Sequence, residues 1–90
     1  MFELGKLTAT CGVSKAMEQD ERFSYDVVDA IRRFITGDWG DVVKEDAQKN
    51  AFALENGLRI VGAYPTVRGK IWIITEADRS ATTVLFPSEY

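Results

Sequence analysis

The feature that most constrains the fold is a change of hydrophobic period near Leu58. Before this residue, apolar residues recur at the three-to-four residue spacing of amphipathic helices. After it, apolar and polar residues alternate and β-branched residues are frequent, as in strands. Ninety residues provide one modest core. The sequence therefore predicts a single α+β domain, residues 1–90, with a short N-terminal strand, three helices and a three-stranded antiparallel β-meander packed on the helices.

The N-terminal strand and the first helix are predicted from one short segment. KLTAT, residues 6–10, has the β-branched character of a brief strand. Thr10 has a side chain that accepts a hydrogen bond from a helix N-terminus, so a short first helix is expected directly after it. The residues expected on its buried face are Val13, Ala16 and Met17.

The second helix is predicted to begin with Ser24 as its N-cap. Phe23 and Val28 then have the spacing of a hydrophobic staple, and Gly37 provides the left-handed residue that ends the helix. The buried face is expected to contain Val27, Val28, Ile31, Phe34 and Ile35.

The third helix is predicted to run from Asp41, its N-cap, to Gly57, although Asp38 is an alternative cap of an earlier turn. Phe52 projects away from the apolar face of this helix and is the best candidate for an exposed aromatic residue. That apolar face, expected in the core, consists of Val43, Ala47, Ala51 and Leu54.

Three strands are predicted over residues 58–65, 69–77 and 81–87, with connectors short enough for antiparallel hairpins. The middle strand is apolar on both faces, which indicates an interior position in the sheet. Trp72 is expected to be partly exposed, or to be covered by a turn, by the C-terminal PSEY or by a second subunit. The two faces are Ile71, Ile73 and Thr75, and Trp72, Ile74 and Glu76.

The corner GDWGD, residues 37–41, has a structural and a functional interpretation. In the structural one, Asp38 accepts hydrogen bonds from free amides, Gly40 relieves crowding and Trp39 anchors the corner in the core. In the functional one, Asp38 and Asp41 present carboxylates beside an aromatic surface to a cation, an arginine or a hydroxylated ligand. The spacing lacks the oxygen density of a calcium loop, so the structural interpretation is favoured.

A second polar cluster, TEADRS, occupies residues 75–80. Its ordinary interpretation is a hairpin turn. The alternative is that Glu76, Asp78 and Arg79 join the corner carboxylates, as in a metal-dependent nuclease or glycosidase. No spacing rule links the two clusters, so the sequence assigns no catalytic residue and no metal ligand.

The residue inventory excludes several kinds of chemistry. The chain contains no histidine, which removes imidazole-activated nucleophiles and histidine-containing zinc sites. Its single cysteine, Cys11, cannot form an internal disulfide. We find no cofactor motif, secretory leader or membrane-spanning segment in the sequence, and we therefore expect a cytoplasmic protein without a cofactor.

Charge is distributed unevenly along the chain. Residues 1–56 contain eleven acidic and seven basic residues, whereas residues 57–90 contain three acidic and four basic residues. This balance opposes a broad nucleic-acid interface, which needs concentrated Lys and Arg. The predicted helical half is therefore the acidic half.

A further pattern extends over nearly the whole chain. Its residues are Gly37, Asp38, Trp39, Gly40, Asp41, Glu45, Asp46, Asn50, Gly57, Arg59, Ile60, Tyr64, residues 70–80, Thr82, Thr83, Pro87, Glu89 and Tyr90. In these residues the chain resembles a family of small, uncharacterised bacterial proteins that are encoded largely on plasmids and integrative conjugative elements. Cys11 and Phe52 depart from the family pattern. The resemblance implies an accessory role in a mobile element, such as regulation, transfer or handling of host defence.

The function predicted from the sequence is that of a non-enzymatic protein-binding module, acting through its acidic helical surface or an open sheet edge. The alternatives are an acidic nucleic-acid mimic that inhibits a defence enzyme, and a small carboxylate- or metal-dependent hydrolase or nuclease. The expected partner is another protein, and a homodimer is left open. The candidate binding residues are Asp38, Trp39, Asp41, Glu45, Asp46, Glu76, Asp78 and Arg79.

Overall fold

The computed structural model describes residues 2–90 and confirms the α+β class. Its helices and strands follow the predicted order, and the strands form one sheet in the order β1-β4-β3-β2. The elements are β1 (Lys6–Ala9), α1 (Cys11–Gln19), α2 (Glu21–Ile35), α3 (Lys44–Asn56), β2 (Ile60–Thr66), β3 (Gly69–Thr75), β4 (Ala81–Leu85) and a 3₁₀ helix (Pro87–Glu89).

The sheet is mixed rather than purely antiparallel. β2, β3 and β4 form the predicted meander, in which Trp72 lies opposite Leu85. β1 lies beside β4 and runs parallel to it, with Thr8 opposite Thr83. A parallel neighbour requires a long connection, which the three helices and the first two meander strands provide. β3 is therefore an interior strand, as predicted, and β1 and β2 are the two edges.

One face of the sheet forms the hydrophobic core with α1 and α2. The inward residues predicted for β3, Ile71, Ile73 and Thr75, are fully buried. The buried Thr75 hydroxyl lies 2.7 Å from that of Thr82, which in turn donates to the Leu4 carbonyl at 2.7 Å. Both polar side chains are therefore satisfied inside the core. The other large core residues include Val13, Phe23, Val27, Phe34, Ile60, Tyr64 and Val84.

The predicted start of the second helix is wrong. Asp20 is the N-cap of α2, and its carboxylate accepts hydrogen bonds from two first-turn amides at 3.0 and 3.3 Å. Ser24 lies inside the helix, where its hydroxyl donates to the Met17 carbonyl at 2.8 Å. Val28 is 49% exposed, so it forms no staple with Phe23. An ionised cap forms stronger hydrogen bonds to amides than a hydroxyl does, and the helix therefore begins directly after the aspartate.

The predicted start of the third helix is also wrong, and of its predicted buried face only Ala47 packs against the core. α3 begins at Lys44, not directly after Asp41, and its N-cap forms no side-chain hydrogen bond. Val43 is 63% exposed and Leu54 39%, whereas Asn50 and Ala53 are buried. The reason is that α3 packs against the edge strand β2. An edge offers main-chain polar groups, which the side chain of an asparagine satisfies better than an aliphatic one.

The second face of the sheet is covered by the C-terminal residues. The Tyr90 ring packs edge-on against Trp72, with ring centroids 5.5 Å apart. The Arg59 guanidinium lies 5.2 Å from the Tyr90 centroid and donates to its hydroxyl group. Two of the arrangements predicted for Trp72 are therefore observed together, since its ring is covered on one side by the PSEY segment and remains partly exposed.

Glu89 fastens this C-terminal segment to α1. Its carboxylate accepts hydrogen bonds from the Thr10 hydroxyl at 2.6 Å, the Phe86 amide at 2.9 Å and the Gly12 amide at 3.1 Å. These bonds, that from Thr10 above all, hold the pKa of Glu89 below its ordinary value. Thr10 is also the N-cap of α1, as predicted, and accepts from the Val13 amide at 3.4 Å.

Candidate functional site

The GDWGD corner pairs with the outer edge of β2. The Ala63 amide donates to the Trp39 carbonyl at 3.0 Å, and the Asp41 amide donates to the Ala63 carbonyl at 2.7 Å. Gly40, between them, forms an isolated parallel bridge with Ala63. At this one position, the corner forms the main-chain bonds that a neighbouring strand would form with β2.

The rest of the β2 edge is closed by other means. The Asn50 side chain donates to the Val61 carbonyl at 2.8 Å and accepts from the Val61 amide at 3.2 Å. The main-chain groups of Pro65 also face outwards, but a proline has no amide hydrogen. Ala63, which lies between Val61 and Pro65, is already bonded to the GDWGD corner. β2 therefore offers no run of free main-chain groups to another strand.

Asp38 is committed to contacts inside the protein. Its carboxylate accepts from Arg33 at 2.8 and 3.3 Å and from the Gly40 amide at 3.1 Å. The Arg33 side chain holds the pKa of Asp38 below its usual range. The carbonyl of Asp38 accepts a 2.8 Å bond from the buried Tyr64 hydroxyl, whose pKa is raised by burial. These bonds are those expected of a structural corner.

Trp39 is an anchor of the core. It is 8% exposed, and its ring packs edge-on against Phe34 at a centroid distance of 5.5 Å and beside Phe2 at 6.0 Å. A ring enclosed in this way presents little surface to a ligand. The positions of Asp38 and Trp39 therefore favour the structural interpretation of the corner.

The acidic candidates near α3 lie on two different surfaces. Asp41 and Asp46 are exposed and border a shallow depression of about 420 Å³ with Lys70 and Trp72. Glu45 borders a separate groove on the outer side of the helix. Asp46 also lines a smaller depression with Lys49 and Arg59, and these two basic residues border the Glu45 groove as well. The acidic residues of this helix therefore lie among basic ones on adjoining surfaces.

Arg79 in the TEADRS turn caps the C-terminus of α3. Its guanidinium donates to the carbonyls of Leu58 at 2.7 Å and Ala53 at 3.0 Å. It also donates to the carbonyls of Glu76 and Ala77 within its own turn, both at 3.1 Å. Arg79 therefore ties the β3-β4 hairpin to the helix.

The corner and the turn do not meet. Asp78 accepts from the Ser80 amide at 3.0 Å, and the side-chain bond with Ser80 is the first cause of its lowered pKa. Within residues 2–90, no hydrogen bond or ion pair joins the two clusters, and no group of three or more His, Cys, Asp or Glu residues has the geometry of a metal site. The corner is bonded to Ala63, which pairs with Trp72 in β3. Glu76 follows Trp72 by four residues, so the corner and the turn are on the order of 13 Å apart along the strand direction.

An apolar groove lies on the outer side of α3. Phe52 is 59% exposed, as predicted, and Leu58 is 47% exposed. With Ala53 they form the apolar part of a groove of about 570 Å³, and the remaining lining residues are Glu45, Gln48, Lys49 and Arg59. We call this surface the Phe52 groove.

Among the residues that the structure describes, the charged side chains of the Phe52 groove are not ion-paired, but the Arg59 guanidinium contacts the Tyr90 ring and donates to its hydroxyl group. Lys49 and Arg59 line it together with the single acidic residue Glu45. Of the ion pairs formed within residues 2–90, none involves any of these three side chains. Sequence reasoning singled out Phe52 and Glu45 but missed Leu58 and Arg59, because these join the groove only when β2 is placed beside α3.

Comparison of the chain with protein-family models, with curated proteins and with solved structures gave no match. In the part of the chain described, no helix combines the length and the apolar character needed to cross a membrane.

Proposed function

We propose that the protein is a non-enzymatic binding module that takes a segment of another protein into the Phe52 groove. The observation that carries this proposal is the exposure of Phe52 and Leu58 side by side in one groove. Apolar side chains grouped in this way are typical of protein interaction sites. The attachment of α3 supports it, since only Asn50 and Ala53 of this helix are buried and its outer side is left uncovered.

The partner segment carries a bulky apolar side chain next to a carboxylate. The apolar side chain packs on Phe52 and Leu58, and the carboxylate approaches Lys49 and Arg59, which outnumber the one acidic residue of the groove. Complementary charges at the rim of an apolar contact orient the partner and exclude others. A basic segment would instead place its charges beside Lys49 and Arg59.

The biological setting that we propose is an accessory role in a bacterial mobile element, in the cytoplasm. This part rests on the family resemblance of the sequence. Among the functions considered, the binding module is favoured over a nucleic-acid mimic because several carboxylates, including those of Asp20, Asp38 and Glu89, bond within the fold. A mimic needs its acidic groups free on one surface.

The proposal is tested with short synthetic peptides that carry one Leu, Phe or Trp flanked by Glu, and with the same peptides carrying Lys instead. We expect the acidic peptides to bind, measured by fluorescence anisotropy, and their addition to shift the amide resonances of Phe52, Leu58 and Arg59. Phe52→Ala should weaken binding at least about tenfold. Tyr25→Ala, which removes an exposed aromatic residue of α2, is the matched control and should leave binding unchanged.

Two outcomes would contradict the proposal. One is equal binding of the acidic and the basic peptides, which would remove the role of Lys49 and Arg59. The other is binding that survives Phe52→Ala, which would place the peptide on a different surface. Circular dichroism measures whether both variants keep the fold. We expect an unchanged spectrum, because Phe52 contributes little to the core.

A further inference from the structure

The outer edge of β1 is open. The amides of Lys6 and Thr10 donate to carbonyls of residues 80 and 84 at 3.0 Å, so the even-numbered residues of this strand bond inward to β4. Main-chain groups alternate in direction along a strand, and those of Leu7 and Ala9 therefore point away from the sheet. Within residues 2–90 they form no hydrogen bond. Leu7 is also 48% exposed.

The two edges of the sheet thus differ in their capacity to pair. β2 is closed by Asn50, the GDWGD corner and Pro65, whereas β1 is free. A second copy of this chain can extend the sheet only by placing its own β1 against β1. Such an interface uses the same surface on both copies and closes on itself as a two-fold dimer.

We propose that two copies pair through antiparallel β1 strands, with the two-fold axis beside Thr8. Leu7 of each copy then exchanges main-chain hydrogen bonds with Ala9 of the other, and Thr8 lies opposite Thr8 as a non-hydrogen-bonded pair. Lys6 lies opposite Thr10, which is still extended, with φ −65° and ψ 164°. The pairing gives one continuous eight-stranded sheet.

Charge complementarity selects this register. The side chains of Lys6, Thr8 and Thr10 share one face of the sheet, since they alternate with Leu7 and Ala9. In each copy the Thr10 hydroxyl donates a hydrogen bond of 2.6 Å to the Glu89 carboxylate. Lys6 of one copy therefore approaches Glu89 of the other, and the two-fold axis repeats this ion pair. Within residues 2–90 of one copy, Lys6 forms no ion pair.

The first experiment measures the association state by sedimentation equilibrium over a range of protein concentrations. We expect a monomer-dimer equilibrium that weakens with added salt. Lys6→Glu places like charges together and should raise the dimer dissociation constant about tenfold. Lys15→Glu makes the same change of charge at an exposed position of α1 and should have little effect.

The second experiment tests the register. The two Cα atoms of a non-hydrogen-bonded pair, one on each strand, are about 4.5 Å apart, within the range that a disulfide spans. In a Cys11→Ser background, Thr8→Cys should therefore form a covalent dimer under mild oxidation. Lys6→Cys in the same background is the control and should not, because the two Lys6 residues do not lie opposite each other.

A strictly monomeric protein at millimolar concentration would overturn the proposal. So would a dimer in which Thr8→Cys does not cross-link, or one that is unaffected by Lys6→Glu, because either places the contact elsewhere. The Phe52 groove lies beside the opposite edge strand, so peptide binding and dimer formation succeed or fail independently.

Discussion

The side chain of Asn50 forms two hydrogen bonds with the main chain of Val61, one in each direction. Its Nδ2 donates to the carbonyl at 2.8 Å, and its Oδ1 accepts from the amide at 3.2 Å. A primary amide has the donor and the acceptor that a strand residue presents. Asn50 therefore closes the β2 edge and attaches α3 to the sheet with one side chain.

Removal of this side chain is expected to destabilise the protein. Asn50→Ala leaves the amide and the carbonyl of Val61 without partners, and we expect the free energy of unfolding to fall by about 2 to 3 kcal/mol. Urea denaturation followed by circular dichroism measures the change. Gln48→Ala, an exposed amide of the same helix, is the control and should shift stability by less than about 0.5 kcal/mol. Equal effects of both variants would show that Asn50 acts only through helix propensity.

Two glycines of the GDWGD corner allow backbone strain to be separated from crowding. Gly37 and Gly40 both have positive φ, at +88° and +76°. A Cβ on Gly37 meets nothing within 4 Å, whereas one on Gly40 would overlap the Ala63 carbonyl and lie 2.7 Å from Cδ1 of Tyr64. We expect Gly37→Ala to cost about 1 kcal/mol and Gly40→Ala at least about 3 kcal/mol. Similar thermal midpoints for both variants would contradict the close approach of the corner to β2.

The guanidinium of Arg79 is predicted to hold the end of α3. Arg79→Lys keeps the charge but loses the planar group that reaches several carbonyls at once, and we expect a loss of about 1 to 2 kcal/mol. Amide hydrogen exchange should accelerate at residues 54–58 while the core of β3 stays protected. Arg32→Lys is the matched control, since its side chain is 73% exposed. Uniform acceleration across the protein would instead indicate global destabilisation.

Stability is predicted to depend on the ionisation of Glu89. Its pKa in the folded protein lies below the ordinary 4.5, chiefly because the Thr10 hydroxyl stabilises the carboxylate. A lowered pKa in the folded state means that the stabilisation is fully present above about pH 5 and is lost as the pH falls through the lowered value. Glu89→Gln should therefore lower the free energy of unfolding by about 1 kcal/mol at neutral pH. This loss should become smaller as the pH falls through the lowered pKa of Glu89.

Urea denaturation at a series of pH values tests this dependence. Glu18→Gln, at an exposed position of α1, controls for the loss of one negative charge. If Glu89→Gln lowers the free energy of unfolding by the same amount at every pH, the lost contacts do not depend on the carboxylate charge.

Features that depend on neighbours in the chain could be predicted from the sequence. The Thr10 cap, the left-handed Gly57 at the end of α3 and the meander all follow from short segments whose physical preferences act locally. The alternation of residues in β3 also identified it correctly as an interior strand with a fully buried face. In these cases local preference and the final fold agree.

Features that depend on distant partners could not be predicted. Asn50 and Arg79 are single polar residues whose acceptors lie 11 and up to 26 positions away, and nothing in their local sequence indicates those partners. The predicted apolar face of α3 failed because the helix meets a sheet edge rather than a sheet face. For the same reason the Phe52 groove was seen only as one exposed ring, without the β2 residues that complete it.

The pairing of β1 with β4 has a consequence for the order of events in folding. The residues that pair between the two strands are about 75 positions apart in the sequence. The sheet therefore cannot be completed until β4 is available. Contacts of such long sequence separation slow folding, because much of the chain must be ordered before they form. While the chain is being made on the ribosome, β1 stays unpaired until β4 has been made, and Glu89 can bond to the start of the helix that follows β1 only after that.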